Sequence, residues 1–322
     1  MISRTAFENI LKEYDAKQLA SQRDLQERRE MIDRQVPRLK EIDKEIAALS
    51  VEKAIRRIRG GSLDSYYEKM DGLKEEKASL LALSGFSLED LEPRYECSKC
   101  KDTGYIGNEL CSCFKSRITD VLYDQSNIKE ILKDENFNTF FFKYYPTGPA
   151  LENAEKAVEA AKAFVRDFDK GPSNLFISGN TGVGKTFLTN CIAKDLIDKG
   201  YFVVYLSAIR LFDILSDAAF GSGKAETDSV SADYMKKIIY NSDLLVIDDL
   251  GTEMVNSFTS TQLFNCVNER LLKDKHTIIS TNFSLKQLQE NYSERLVSRI
   301  VSRYTLIRLL GDDIRMKKKL EA

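Results

Sequence analysis

The chain has 322 residues, of which 30% are charged, and its formal net charge is −2 at pH 7. This length allows two or three domains, each with its own hydrophobic core. The balance of charge argues against a generally basic nucleic-acid-binding surface, so any contact with nucleic acid must come from local patches. No apolar run approaches the roughly 18 residues of a membrane span, and the N-terminus lacks a signal-peptide core. We therefore expect a cytoplasmic protein, with no membrane partner, whose six cysteines are not disulfide-bonded.

Residues 1–92 have the pattern of a helical region. Apolar residues recur every seven positions between charges of both signs: Leu25, Ile32, Leu39 and Ile46. This spacing predicts a helical or coiled-coil arm. Pro37 disfavours a helix interior by about 3 kcal/mol, so we expect a kink or a new helix start there. The region is either an arm that docks a protein partner or a solvated hairpin that packs on its neighbour, and the heptads leave both open.

The segment 93–116 carries four cysteines in the pattern C-x2-C-x10-C-x-C: Cys97, Cys100, Cys111 and Cys113. Four thiolates can close a tetrahedral Zn²⁺ site, and two glycines between the pairs allow tight turns. The single histidine, His276, lies far along the chain, so a small structural zinc module with four cysteine ligands is predicted. Free thiols and an iron–sulfur cluster are the alternatives. Cys191 and Cys266 fall on helical faces and are predicted to be core residues.

Residues 117–149 are predicted to form an aromatic-rich linker. Six aromatic residues lie close together in it: Phe137, Phe140, Phe141, Phe142, Tyr144 and Tyr145. Such a cluster can stack on nucleic-acid bases. It can also pack the linker onto the next domain or border a nucleotide base, and we favour packing.

The domain at residues 150–322 is organised around a glycine-rich loop. Its residues read G-x-x-x-x-G-K-T: Gly179, Asn180, Thr181, Gly182, Val183, Gly184, Lys185 and Thr186. An apolar run precedes the loop and a helical pattern follows it, which is the strand–loop–helix context that a phosphate-binding loop requires. Backbone N–H groups and the helix N-terminus face phosphate oxygens in such sites. We expect Lys185 to reach the β- and γ-phosphates of a nucleotide and the Thr186 hydroxyl to bind Mg²⁺.

Another apolar run ends in two carboxylates, Asp248 and Asp249. Mg²⁺ prefers carboxylate oxygen, and the end of a neighbouring strand would place one near Thr186. Asp248 is therefore predicted to serve the metal directly or through water, and Asp249 to orient or deprotonate the attacking water. A later strand-like segment ends at Asn282, whose amide could hold that water. A turn-forming role for Asn282 is the alternative.

Between the helix that follows the glycine-rich loop and the apolar run that ends at Asp248, we predict a strand, a helix from Ala208 to Ala219 and a mobile loop from Gly221 to Ser231. The helix carries Arg210 and Phe212, which are candidates for contact with DNA.

Three arginines near the C-terminus recur every four residues and share one helix face: Arg295, Arg299 and Arg303. This face is either a solvated basic stripe, or it supplies one arginine to the γ-phosphate that a neighbouring subunit binds. The spacing leaves both interpretations open.

As a set, these segments resemble one family. The region from Phe137 to Arg315 is similar to the AAA+ helicase-loader group, which includes the bacterial DnaC and DnaI loaders and the related transposition ATPase IstB. The resemblance is carried by the segments Gly179–Thr186, Val246–Glu253, Ile279–Asn282, Glu294–Arg303 and Gly311–Arg315. Upstream, Cys97–Tyr105 resembles the cysteine-rich segment of DnaI-like loaders, whereas residues 1–90 match only in being helical.

The resemblance implies an α/β fold, an AAA+ P-loop NTPase with a five-stranded parallel sheet and helices on both faces. It implies ATP as the nucleotide, Asn282 as the first sensor and Arg315 as the second-sensor arginine. It also implies Arg299 as the arginine finger, with Arg295 and Arg303 as alternatives. Asp249 stands where many AAA+ ATPases have glutamate, so slow hydrolysis is expected.

The implied function is an ATP-dependent loader that binds the replicative DNA helicase and delivers it to single-stranded DNA during replication initiation. Such a loader self-associates through its ATPase interface, and here residues 1–92 and the zinc module would hold the helicase. A transposition ATPase of the IstB type, acting on target DNA, is the first alternative, and the cysteine module favours the loader over it. A nucleotide-dependent scaffold with little hydrolysis is the second.

Overall fold

The computed structural model describes residues 4–59, 64–107, 109–125, 128–220 and 226–321. The chain divides into two compact units, one of residues Asn9–Phe114 and one of Lys115–Ala322 together with Met1–Glu8. Across the described ranges, no helix combines the length and the apolar character that crossing a membrane requires.

The unit Asn9–Phe114 is built on three long helices: α1 (Arg4–Gln35), α2 (Arg38–Arg59) and α3 (Asp64–Leu83). The break expected at Pro37 is observed, because α1 ends and α2 begins on either side of it. α2 and α3 form an antiparallel hairpin. Arg38 Nε lies 2.9 Å from Glu76 Oε1, and Lys77 pairs with Asp43.

The heptad residues contribute to the core of this unit without forming one continuous coiled coil. Ile32 of α1 and Leu39 of α2 are buried in an apolar cluster with Leu81 of α3. Leu25 and Ile46 are only half-buried. The heptad pattern therefore identified inward faces, but the proline divides them between two helices.

The cysteine segment and the connection to the next unit follow. A short antiparallel pair, β1 (Tyr105–Ile106) and β2 (Glu109–Leu110), lies between the two cysteine pairs. Two helices come next, α4 (Ser112–Gln125) and α5 (Ile128–Asp134). The segment 117–149, predicted to be a linker, is therefore helical over much of its first half.

A parallel sheet forms the centre of the unit Lys115–Ala322, with the strand order β4-β5-β6-β3-β7. Its strands are β3 (Asn174–Gly179), β4 (Val203–Ser207), β5 (Leu244–Leu250), β6 (His276–Thr281) and β7 (Thr305–Leu309). All four neighbouring pairs are parallel. The predicted α/β class and five-stranded parallel sheet are thus confirmed, and the strand before the glycine-rich loop lies inside the sheet, between β6 and β7.

Helices connect and cover these strands. They are α6 (Pro149–Arg166), α7 (Lys185–Asp198), α8 (Ala208–Phe220), α9 (Glu226–Asn241), α10 (Ser257–Leu272), α11 (Leu285–Asn291), α12 (Glu294–Arg303) and α13 (Ile314–Glu321).

The prediction of a loop from Gly221 to Ser231 is wrong for the second part of that segment. Helix α9 already begins at Glu226, whereas residues 221–225 lie outside the described residues. The C-terminal half of α9 buries Ile238 and Ile239. Tertiary packing of those residues stabilises a helix whose polar first turns do not signal one.

Three residues with reactive or titratable side chains are core residues. Cys191 and Cys266 are fully buried, as predicted. The ring of His276 stacks on Phe168 with a centroid distance of 3.8 Å. Burial lowers the pKa of His276, so its imidazole is neutral at physiological pH.

A fully buried arginine joins α9, α10 and β6. Arg270 of α10 donates to the carbonyl oxygens of Ile239 (2.6 Å), Ser242 (3.1 Å) and His276. It also donates to the hydroxyls of Ser242 (3.0 Å) and Thr277 (3.0 Å). Burial lowers the pKa of the guanidinium to about 10, so the group stays charged at neutral pH and its protons satisfy buried acceptors.

Replacement of this side chain by a hydrophobic one should destabilise the domain strongly. Arg270→Met removes the donors to buried carbonyl oxygens, and each unsatisfied buried group costs about 1–3 kcal/mol. We expect the free energy of unfolding in urea to fall by about 3–5 kcal/mol. Arg299→Met, the same change at an exposed position of α12, is the matched control and should stay within about 0.5 kcal/mol. Equal stability of the two variants would contradict the expectation.

Candidate nucleotide site and candidate metal centre

The glycine-rich loop Gly179–Thr186 joins the end of β3 to the start of α7. Gly182 and Gly184 have φ angles of +78° and +95°, in the left-handed region that favours glycine. A Cβ atom on Gly182 would lie 2.1 Å from the carboxyl carbon of Asp313. The backbone N–H of Ile314 donates to the Gly182 carbonyl at 2.9 Å. The C-terminal segment therefore packs directly on the loop, which leaves no room for a side chain there.

Lys185 lies across this loop and is only 5% exposed. Its ammonium group donates to the carbonyl oxygens of Gly179 (3.0 Å) and Asn180 (2.8 Å) and to Oδ1 of Asn282 (2.6 Å). Burial lowers the pKa of Lys185 because the charged form is poorly solvated. A desolvated ammonium at a helix N-terminus is well suited to bind phosphate oxygens, which would replace its present acceptors.

Thr186 and Asp248 meet beside the loop, where the sequence predicts the magnesium ligands. Asp248, at the end of β5, is 7% exposed. Its carboxylate accepts hydrogen bonds from Thr186 Oγ1 (3.2 Å), from the Tyr205 hydroxyl (2.9 Å) and from Ser280 Oγ. Burial raises the pKa of Asp248, and these donors oppose the shift. A hydroxyl and a carboxylate in this arrangement fit the oxygen ligands that Mg²⁺ prefers.

A cleft of about 650 Å³ opens over the loop. Its polar wall includes Gly182, Gly184, Lys185, Thr186, Asp249, Asn282 and Arg315. The structure thus brings the predicted site residues of β5, β6 and the C-terminal segment together with the loop. The roles predicted for Asp249, Asn282 and Arg315 stay predictions.

Part of the aromatic cluster also lines this cleft, and part of it packs on the core. The ring of Phe140 stacks on Tyr145 at 6.0 Å and meets Phe187 of α7 edge-on at 5.6 Å. The buried Tyr145 hydroxyl donates to the Val183 carbonyl at 2.8 Å. Phe141 is 57% exposed at the rim. The predicted packing is confirmed, and a role for these rings beside a nucleotide base stays a prediction.

The three arginines of α12 do not line this cleft. Arg295, Arg299 and Arg303 are all exposed, whereas Leu296 and Ile300 are buried on the other face of the helix. Among the residues that the structure describes, none of the three arginine side chains has an ion-pair partner. Either predicted role, a solvated stripe or a finger for a neighbouring subunit, is compatible with this exposure.

One of the two candidate DNA contacts is wrong. Phe212 is only 5% exposed because α8 directs it into the core, so its ring cannot stack on a base. Arg210 is partly exposed, and its Nη1 atom lies 4.0 Å from Oδ2 of Asp213. A contact between Arg210 and DNA stays a prediction.

The four cysteines of the predicted zinc module lie together in the unit Asn9–Phe114. Their sulfur atoms are all within 4.8 Å of one another, with Cys97–Cys111 at 3.8 Å and Cys100–Cys113 at 3.5 Å. A tetrahedral site with Zn–S bonds of about 2.3 Å requires S–S distances of about 3.8 Å. The donor set therefore fits a Zn²⁺ ion, and its residues are those that the sequence predicts.

The turn after the first cysteine pair is held by Asp102. Its carboxylate accepts from the backbone N–H groups of Glu96 (2.9 Å) and Cys97 (2.8 Å). The backbone N–H of Cys100 points at the Cys97 sulfur and lowers the pKa of that thiol to about 7. Burial raises the pKa of Cys113 to about 12. A bound metal stabilises thiolates and would therefore offset the unfavourable free energy of holding four cysteine sulfur atoms close together.

Comparison with protein families identifies the nucleotide-binding half. The profile of the family described as "IstB-like ATP binding protein" matches residues 147–322, more than half of the chain. The chain belongs to this family. The matched residues include the phosphate loop of this IstB-like protein.

Two curated relatives are replicative helicase loaders named DnaC. The one from Escherichia coli strain K12 is 24% identical over 149 residues, which are 46% of this chain and 58% of the relative. The one from Buchnera aphidicola subsp. Baizongia pistaciae is 23% identical over 176 residues, 55% of this chain and 67% of the relative. The chain therefore spans little more than half the length of the Escherichia coli relative. A solved structure of the DnaC helicase loader aligns with 56% of this chain and 99% of its own, at 24% identity and a TM-score of 0.46.

Three residues of the candidate site were not identified from the sequence: Tyr205, Ser280 and Asp313. Tyr145 was named only as one of six clustered aromatic residues. Tyr205 and Ser280 did carry a signal, because each is a polar side chain near the end of an otherwise apolar strand, where a buried polar group needs a partner. Nothing local marks Tyr145 among its aromatic neighbours or Asp313 beside a second aspartate.

Proposed function

We propose that this protein is a cytoplasmic, ATP-dependent loader that binds a replicative DNA helicase and delivers it to single-stranded DNA. The observation that carries the proposal is the joint presence of two features. The chain has a phosphate loop facing paired carboxylates, and it has a separate unit with a helical arm and a four-cysteine centre. The names of the DnaC relatives support a role in loading rather than in another ATP-driven process.

The proposed reaction is hydrolysis of ATP to ADP and phosphate. Lys185 exchanges its bonds to Gly179, Asn180 and Asn282 for phosphate oxygens, which leaves the Asn282 amide free to orient the attacking water. Asp249 accepts the proton of that water. Mg²⁺, held by Thr186 and Asp248, would neutralise charge on the β- and γ-phosphates. The shorter side chain of Asp249, compared with glutamate, is consistent with slow turnover.

Arginines are proposed to complete the site from two directions. Arg315 lines the cleft of its own chain and is close enough to Lys185 to lower the lysine pKa through repulsion, after the larger effect of burial. Arg299 is exposed on α12 and outside that cleft, which supports a role as a finger for the nucleotide of a neighbouring subunit. Self-association is then favoured by ATP, because the γ-phosphate lies between the two subunits.

Residues 1–92 and the cysteine module are proposed to hold the helicase. They form a unit distinct from the nucleotide-binding one, with an arm of paired helices and a compact turn structure around the cysteines. Loss of the γ-phosphate would release the assembly and leave the helicase on DNA.

A loading assay tests this function. The full-length chain would be mixed with the purified hexameric replicative helicase of the source organism and circular single-stranded DNA. We expect ATP-dependent deposition of helicase on the DNA, little deposition with Lys185→Ala, and trapping of a helicase–loader complex with Asp249→Asn.

Two outcomes would contradict the proposal in different ways. Failure of the wild-type chain to bind the helicase, together with ATP-dependent binding of duplex target DNA, would favour the transposition ATPase. Full loading by Asp249→Asn would instead favour a scaffold that binds ATP without needing to hydrolyse it.

A further inference from the structure

The end of β5 is irregular where its two carboxylates lie. The pairing of β5 with β6 shifts register there, and the paired residues on either side of the shift are Ile247 with Ile279 and Leu250 with Thr281. Asp248 and Asp249 therefore share one opposite residue, Ser280. Two residues facing one is the arrangement of a β-bulge, a feature that re-aims side chains next to active sites.

The bulge changes where the second carboxylate points. In a regular strand, consecutive side chains alternate between the two faces of the sheet, so Asp248 and Asp249 would diverge. Here Asp249 has a φ of +54°, in the left-handed region that non-glycine residues rarely adopt. As a result Asp248 contacts Thr186 while Asp249 lines the nucleotide cleft, and both carboxylates serve one site.

A single hydroxyl group contacts both halves of this bulge. Ser280 Oγ donates to the carboxylate of Asp248 and accepts from the backbone N–H of Asp249 at 2.9 Å. A serine hydroxyl can do both at once, since it has one donor and two acceptor positions. The side-chain oxygen thereby replaces the strand carbonyl that the Asp249 N–H would otherwise use. Ser280 is fully buried, so no water competes for these bonds.

Tyr205 provides an internal comparison. Its hydroxyl donates to the same carboxylate at 2.9 Å and is bonded to Thr189 Oγ1 at 3.1 Å. The hydrogen bonds described for Tyr205 reach Asp248 and not the Asp249 backbone. Of the two acids, removal of the Tyr205 hydroxyl thus disturbs only Asp248, whereas removal of the Ser280 hydroxyl disturbs both.

We propose that Ser280 is the positioning residue that holds this bulge and so presents Asp248 to the metal and Asp249 to the attacking water. The inference rests on the ATP hydrolysis proposed above. Ser280 is fully buried and is not among the residues that line the cleft, so it acts through the two acids.

The test compares Ser280→Ala, Ser280→Thr and Tyr205→Phe in the full-length chain. For Ser280→Ala we expect kcat for ATP hydrolysis to fall by about 100-fold, the size of a lost general-base contribution. The Mg²⁺ concentration for half-maximal activity should rise, whereas the affinity for a fluorescent ATP analogue in EDTA should stay unchanged. Ser280→Thr keeps the hydroxyl and should restore most of kcat. Tyr205→Phe should raise the Mg²⁺ requirement with a smaller loss of kcat.

The outcomes separate this inference from the proposed function. A wild-type chain that hydrolyses ATP and a Ser280→Ala variant of equal activity would overturn the inference alone. An equal loss in Ser280→Thr, or loss of Mg²⁺-free nucleotide binding, would also overturn it, because either points to packing rather than hydrogen bonding.

If the wild-type chain does not hydrolyse ATP, the proposed ATPase function fails. In that case the Mg²⁺ dependence of nucleotide binding tests the role of Ser280. The same Mg²⁺ dependence in Ser280→Ala and in the wild-type chain would overturn the inference. Should Ser280→Ala not fold, Ser280→Cys, similar in size but a weak donor, takes its place.

Discussion

Replacement of Lys185 by alanine is expected to lower the affinity for Mg·ATP by about 100-fold or more. Removal of one partner of a buried charge-assisted contact costs about 2–5 kcal/mol, and each 1.4 kcal/mol is about tenfold in affinity. Lys185 is buried, and its ammonium donates to two backbone carbonyl oxygens and to the side-chain amide oxygen of Asn282, which phosphate oxygens would replace. Titration of a fluorescent ATP analogue against the purified chain measures the effect.

Lys194→Ala is the matched control for this prediction. Lys194 lies on the same helix, α7, but its side chain pairs with Asp198 near the surface. Surface substitutions of this kind change stability by less than about 0.5 kcal/mol, and ATP binding should be unaffected. Similar affinities of the Lys185→Ala variant and the wild-type chain would refute the assignment of the loop as the phosphate site.

Loss of the metal from the four-cysteine centre is expected to unfold the cysteine segment. Structural zinc contributes about 10–16 kcal/mol of apparent binding free energy in small zinc modules, and this energy is coupled to folding. The purified chain should therefore contain one zinc ion. Cys100→Ser should abolish zinc binding and make residues near the centre sensitive to a protease, without changing the fold of the nucleotide-binding unit.

The control for the metal centre is Lys99→Ser, an exposed position in the same turn. It should retain zinc by elemental analysis and resist the protease as the wild-type chain does. Iron with visible absorption, in place of zinc, would indicate a cluster. If the purified wild-type chain contains no metal and is cleaved by the protease as readily as the Cys100→Ser variant, the cysteines are free thiols.

The phosphate loop and the cysteine centre could be predicted from the sequence because their chemistry is encoded locally. The loop depends on the backbone conformation of Gly182 and Gly184 and on contacts of Lys185 with residues a few positions away. The spacing of these residues is therefore nearly sufficient to predict the loop. The cysteine spacing similarly limits which sulfur atoms can meet. The apolar run before Asp248 marked a buried strand, and the structure confirms it as β5.

Features that depend on packing at a distance could not be predicted in the same way. The polar first turns of α9 resemble a loop, and only the burial of its C-terminal half shows why a helix forms. Phe212 was a candidate for DNA contact on the helix after β4, but the orientation of α8 directs it inward. Heptad spacing identified inward faces without deciding which helices would pair.

The sequence by itself determined the class of this protein, since a phosphate loop, paired acids and four spaced cysteines each need only a few neighbouring residues. Only the tertiary structure decided how the site is completed. Ser280 lies far from Asp248 and Asp249 in the chain and reaches them because parallel strands bring β5 and β6 side by side. Hydrogen bonds between such distant residues depend on sheet register, and register is a property of the whole packed sheet.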